Sequence, residues 1–218
     1  MVGAGPGLSA SFARLLAAEG YRVALAARGT GGIAHLGQEI GADLHSCDAA
    51  DPDSVAALFA SLGGTPLDVV LYNPSRRVRG PLVDLDPAEV ARSLAVTAFG
   101  AFLVGQQAAR RMSQAGSGTI LFTGASAGVK GFAESAPFAM GKFALRGLAQ
   151  SMARELHPRG IHVAHVVVDG VIRPAGRDDP GGAMLDPDAI ARTMLALVRQ
   201  DRTCWTDEVA VRPWVERF

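Results

Sequence analysis

The chain has 218 residues, 49% of them hydrophobic and 19% charged, and its 21 basic residues balance 21 acidic ones. That length and apolar content support one domain with a full buried core and exclude a disordered chain. Zero net charge with no basic stripe gives no expectation of a nucleic-acid partner, and apolar runs as short as Val163 to Val168 give none of a membrane span.

Short apolar strands alternate with longer helical stretches along the chain. A helix is expected over Gly7–Glu19, followed by a strand at Tyr21–Ala27, a helix at Ile33–Ile40 and a strand at Ala42–Ser46. Then come a helix at Pro52–Ser61, a strand at Leu67–Tyr72, a long helix at Pro87–Ala115 and a strand at Gly118–Thr123. The series closes with a helix at Ala136–His157, a strand at Ile161–Val168, a helix at Pro187–Arg199 and a strand at Thr203–Val211. Asp51, Asp86 and Asp186 each precede a proline, the pairing of cap and first-turn residue that starts a helix. Gly20, Gly116 and Gly160 stand where helices should stop. This rhythm predicts an α/β architecture, a doubly wound parallel sheet of Rossmann type, as a single domain over residues 1–218. Only Met1 and Val2 precede the first glycine turn, where a central strand should lie. An unpaired slot in mid-sheet is costly, so a natural start several residues earlier is expected.

Two glycine-rich turns carry the chemistry. Gly3-Ala-Gly5-Pro-Gly7 opens the first helix at Leu8, where glycines let the backbone approach a phosphate and the free N–H groups hold its charge. Thr123-Gly-Ala-Ser-Ala-Gly128 follows a strand, and Phe138-Ala-Met-Gly-Lys142 opens a helix about a dozen residues later. Phe138 and Lys142 are four residues apart and share a helix face. Arg28 ends the second expected strand region, where an arginine can pair with a phosphate through a charge-assisted fork. Cys47 and Cys204 stand alone and are expected as free thiols in a reducing compartment. The N-terminus shows no charged and apolar leader, so a cytoplasmic location is expected. The five histidines, at 35, 45, 157, 162 and 165, form no metal-ligand spacing. His162 and His165 should face opposite sides of a strand, and His157 should serve a helix end.

In this order, these turns resemble the short-chain dehydrogenase/reductase family over nearly the whole chain. The resemblance implies hydride transfer between a nicotinamide cofactor and a carbonyl or alcohol. It assigns Gly3, Gly5, Gly7 and Leu8 to the dinucleotide turn and Asp48 to the adenine. Asn73, in Tyr72-Asn-Pro-Ser75, follows the fourth strand of the pattern. Gly170 and Ile172, in Asp169-Gly-Val-Ile172, meet the nicotinamide. The family's third turn glycine is Ser9 here, and Asp169 and Pro174 replace a usual proline and threonine. Ala27 takes the place of a carboxylate that would repel a 2′-phosphate, so Arg28 favours NADP over NAD. The family's catalytic tetrad of Asn, Ser, Tyr and Lys falls on Thr97, Ser126, Phe138 and Lys142. Counting strictly from Phe138, the serine position is Ala125, with Ser126 one residue away. Phe138 therefore stands where the proton-donating tyrosine is expected.

Three functions follow from that replacement. The chain is an oxidoreductase whose proton comes from a water, Ser126 or a hydroxyl such as Tyr72 or Ser135. Alternatively it is a dinucleotide-binding sensor or structural protein without turnover, its pocket filled by Phe138, Phe132 or Met140. The third is an internal redox isomerisation. A substrate loop is expected over Arg173 to Asp186, its mobility coming from glycine and proline and its acid preference from Arg173 and Arg177. Small residues on the helices from Pro87 and Ala136 point to a homodimer or homotetramer. The apolar tail Trp205 to Phe218 is expected to cover the core or reach a neighbouring subunit.

Overall fold

The computed structural model describes residues 1–216; Phe218, part of the expected apolar tail, lies outside the described residues. Six parallel strands form the sheet: β1 (Ala24–Ala27), β2 (Asp43–Ser46), β3 (Val69–Tyr72), β4 (Gly118–Thr123), β5 (Ile161–Val168) and β6 (Glu208–Val211). The helices are α1 (Leu8–Ala18), α2 (Ala34–Ile40), α3 (Pro52–Ser61), α4 (Pro87–Leu94), α5 (Gly100–Ala115), α6 (Ala136–Leu156) and α7 (Pro187–Val198). Asp51, Asp86 and Asp186 each accept a backbone N–H from the first turn of their helix, as the sequence predicts. Gly116 and Gly160 close their helical segments with left-handed φ.

Strand alternation distributes the core to both faces. Val70, Tyr72, Ile120, Phe122 and Val163 join one apolar cluster beneath α3, α5 and α6. Leu71, Leu121, Ala164 and Val166 join the other, beneath α1, α2 and α7. Every residue of β5 is buried, as befits a parallel strand covered on both sides. Two isolated bridges, from Val2 to Ala26 and from Val2 to Tyr72, join β1 to β3. Met1–Gly3 thus fills the central slot for barely one strand residue, and the order is β2-β1-Val2-β3-β4-β5-β6. For the same reason β1 starts at Ala24 rather than Tyr21, and β3 at Val69 rather than Leu67. Beneath Met1 the sheet parts around a cavity of about 790 Å³, between Tyr21–Ala24 and Leu67–Val70. It lies at the N-terminal ends of the strands, the edge opposite the glycine turns. Ligands of open α/β sheets bind at the carboxyl edge, so this cavity is not the candidate site.

The expected single helix over 87–115 is interrupted by a π-helical turn, Ala95–Phe99. By length and composition this helical stretch could cross a membrane, which the short apolar runs did not foretell. Its Ala101, Val104, Ala108 and Met112 face is buried in the core, the place of a core helix. Within the expected apolar tail, Trp205 stacks on His162, while Trp214 is 84% exposed and covers no core.

Candidate active site and cofactor cleft

The chain leaves the central slot at Val2 and turns at once. Gly3 adopts φ +77°, and a Cβ there would lie 2.6 Å from the Pro74 ring, so the turn admits only glycine. Gly5 and Gly7 face open space. Helix α1 starts with no side-chain cap and no acidic residue in its first turn, which leaves its N–H groups available to an anion. Leu8 is buried and anchors the helix start. Ser9 is buried too; its hydroxyl donates to Gly3 O at 3.1 Å and accepts from Asn73 Nδ2 at 2.9 Å. Asn73 therefore braces the glycine turn from the end of β3. Val2 is the switch point from which the chain passes to β1 on one side and β3 on the other, the place where a dinucleotide fits.

Arg28 follows β1, exposed and without an ion-pair partner among the described residues. Asp48 follows β2 and turns one carboxylate oxygen onto Ala50 N at 3.0 Å. Gly170 and Ile172 follow β5, and a backbone bridge joins Ile172 to Leu185. That bridge, with Arg173 Nη2 paired to Asp186 at 3.1 Å, closes the loop between Arg173 and Asp186 at its base. Of the two arginines expected to favour an acidic substrate, Arg173 thus pairs within the loop, and Arg177 is exposed. The exposed Trp214 indole stands against Gly182 on the same loop.

The four catalytic candidates converge on α6. Phe138 and Lys142 are both buried, and Lys142 Nζ lies 5.9 Å from the centre of the Phe138 ring. Nζ donates to Thr123 O at 2.6 Å. The turn holding the half-buried Ser126 packs on the Lys142 backbone, since a Cβ on Gly128 would lie 3.0 Å from Lys142 O. Thr97 is brought in by the π turn and lies against Gly141, where a Cβ would stand 2.9 Å from Thr97 Cβ. The Thr97 hydroxyl accepts the Arg76 N–H at 3.2 Å.

Burial, helped by the charge of Arg77, lowers the Lys142 pKa from 10.5 to about 7. The unfolded chain, with its lysine at the ordinary value, binds more protons between these limits. Stability of the free protein should consequently rise with pH above about 7, and Lys142→Met should flatten that rise. Thermal unfolding of both proteins across this range measures the difference; parallel curves would contradict a depressed lysine.

The structure corrects the Tyr72 suggestion. Its side chain is fully buried, its hydroxyl donates to Val96 O, and burial pushes its pKa well above the usual phenol value. Such a hydroxyl is no proton donor to a substrate. Ser135 is buried at the start of α6. The histidines have other duties: His162 stacks on Trp205 at 4.9 Å, His157 meets the Val163 backbone, and His165 pairs with Glu208 at 2.9 Å. Sequence reasoning missed Arg77, whose guanidinium carbon lies 4.4 Å from the Phe138 ring centre. The one available signal was the basic run Arg76-Arg77-Val78-Arg79 just beyond the Asn73 turn.

The comparisons with known proteins agree with this geometry. The family profile described as "short chain dehydrogenase" matches residues 1–177. The 3-oxoacyl-[acyl-carrier-protein] reductase MabA of Mycobacterium avium is 31% identical over 174 residues, covering 79% of this chain and 66% of that reductase. The chain thus spans just under two thirds of that reductase. The cis-4-hydroxycyclohexanecarboxylate dehydrogenase of Sinomonas cyclohexanicum is 33% identical over 217 residues, covering 96% of this chain and 84% of that enzyme. Among solved structures, a short-chain dehydrogenase from Rhodopseudomonas palustris superposes with a TM-score of 0.86 at 35% identity, covering 98% of this chain and 96% of that one. A metagenomic short-chain oxidoreductase in complex with NADP gives 0.86 at 30% identity, covering 99% and 96%. A profile match over most of the sequence, on a parallel sheet with its glycine turn at the switch point, places this chain in the short-chain dehydrogenase family.

Proposed function

We propose that the protein is an NADP-dependent oxidoreductase that interconverts a small carbonyl compound and its alcohol, with a proton donor other than tyrosine. The observation that carries this reading is the buried Lys142, poised near neutrality beside the Ser126 turn and Phe138. Gly3, Gly5, Gly7 and Leu8 would hold the pyrophosphate at α1, Arg28 the 2′-phosphate, and Asp48 the adenine. Asn73 would steady the turn, and Gly170, Ile172 and Lys142 would face the nicotinamide end. The uncapped start of α1 and the unpaired Arg28 fit an anionic dinucleotide. The NADP complex of the metagenomic relative supports the choice of nucleotide. The bound cofactor supplies the hydride.

The chain's own residues then handle the oxygen. Phe138 takes the position of the family's tyrosine and has no proton to give. Lys142 Nζ, at a pKa of about 7, delivers the proton to the carbonyl oxygen in reduction and recovers it in oxidation. Ser126 holds that oxygen, and Thr97 fixes the loop behind it. Of the three side chains that a silent binder would place in the pocket, Phe132 and Met140 are 47% and 50% exposed and Phe138 is buried. Assembly as a homodimer or homotetramer is proposed through the π turn, α5 and α6, where Phe99, Phe102 and Phe143 are exposed.

Phe138→Tyr tests the catalytic half of the proposal. Restoring a phenol beside Lys142 should raise NADPH-dependent carbonyl reduction about 10²-fold or more, measured across a panel of aldehydes and ketones. A folded, nucleotide-binding but wholly inert variant would contradict it.

A further inference from the structure

The loop after β3 is built to hold one arginine in place. Arg76 is held at three points: its guanidinium pairs with Glu89, its backbone N–H donates to Thr97 Oγ1 at 3.2 Å, and its carbonyl accepts from Ser93 Oγ at 2.8 Å. Both hydroxyl residues are completely buried, so the backbone beside Arg77 is pinned on each side. Arg77 itself forms no ion pair among the described residues. Its guanidinium carbon sits 4.4 Å from the centre of the Phe138 ring, and Lys142 Nζ lies 5.9 Å from the same centre. The Arg77 guanidinium and the Lys142 amine thus flank one buried ring, and among the described residues no carboxylate pairs with either. A stacked guanidinium spends its face on the ring and keeps its in-plane N–H edge for a planar anion. Of the two loop arginines expected to favour an acid, Arg173 pairs with Asp186, and Arg177 is exposed on the loop.

We propose that Arg77 is a specificity-determining residue that clamps a carboxylate on the substrate, so that the site takes oxo acids in reduction and hydroxy acids in oxidation. This rests on the oxidoreductase reading for its carbonyl and on Arg77 alone for its acid. The carboxylate takes no part in the bond changes: hydride goes to the carbonyl carbon, a proton to its oxygen, and the clamp holds throughout. Phe138 gains a purpose here, because a flat apolar ring supports the guanidinium from beneath.

The test is calorimetric titration of the full chain with 2-oxopentanoate, 4-oxopentanoate and 5-oxohexanoate, each beside its methyl ester, with and without NADPH. At least one acid should bind 10-fold or more tightly than its ester. Arg77→Gln should weaken that acid about 10- to 100-fold, with little change for the ester or for NADPH, and Arg77→Lys should retain part of the preference. Acids and esters binding alike across the series would overturn the clamp, as would an Arg77→Gln loss falling equally on both. Loss of NADPH affinity alone in Arg77→Gln would also overturn it, by assigning the arginine to the nucleotide. If NADPH fails to bind while the Arg77-dependent acid preference persists, the oxidoreductase reading falls and the carboxylate site stands.

Discussion

Lys142→Met is expected to lower NADPH-dependent carbonyl reduction by about 10²- to 10⁴-fold, the usual loss when a proton-transfer group is removed. It should also weaken NADPH binding, because the proposed site uses the ammonium at the nicotinamide end. The fold should survive. Lys142 is only 3% exposed, and methionine is close in length to its stem without burying a charge. Its hydrogen bond to Thr123 O is lost; deleting the desolvated ammonium offsets that cost. The combination is diagnostic. A lysine with a merely structural role would leave nucleotide affinity untouched and change only the melting temperature. Fluorescence titration with NADPH, steady-state rates and thermal unfolding of the same preparation separate the two.

Gly3→Ala should damage both the fold and the proposed nucleotide turn. The left-handed φ of +77° costs any other L-residue about 1–2 kcal/mol. The added Cβ would also lie 2.6 Å from the Pro74 ring and 2.7 Å from the Pro74 backbone nitrogen. Either turn moving would break the bond between Ser9 and Asn73 that ties them together. Nucleotide binding should fall at least tenfold, and the melting temperature should drop by several degrees. Gly5→Ala makes the matched control, because a Cβ at Gly5 meets nothing within 4 Å and its φ is unexceptional. Its stability should stay near that of the parent. Equal melting temperatures for Gly3→Ala and the parent would contradict the close approach.

The parts legible in the sequence were local. Asp51, Asp86 and Asp186 cap their helices through bonds two residues long, so their residue type and the following proline suffice to find them. The glycine turn and the Phe138–Lys142 spacing were legible for the same reason. Side-chain destinations set by distant partners were not. Tyr72 looked like a spare hydroxyl, yet strand alternation points it into the core beside Phe122, with its bond to Val96 far along the chain. The π turn at Ala95–Phe99 leaves no mark in a stretch of ordinary helix formers; packing of Thr97 against Gly141 accompanies it. Arg77 finds Phe138 only because α4, the π turn and α6 meet in space. Arg173 finds Asp186 only because Ile172 bridges Leu185.

The measurement that bears most directly on the central claim is fluorescence titration of the purified chain with NADPH and, separately, with NADH. A saturable NADPH signal, with binding about tenfold or more tighter than NADH and a loss of that selectivity in Arg28→Ala, is the predicted result. The absence of saturable binding by either nucleotide would contradict the account.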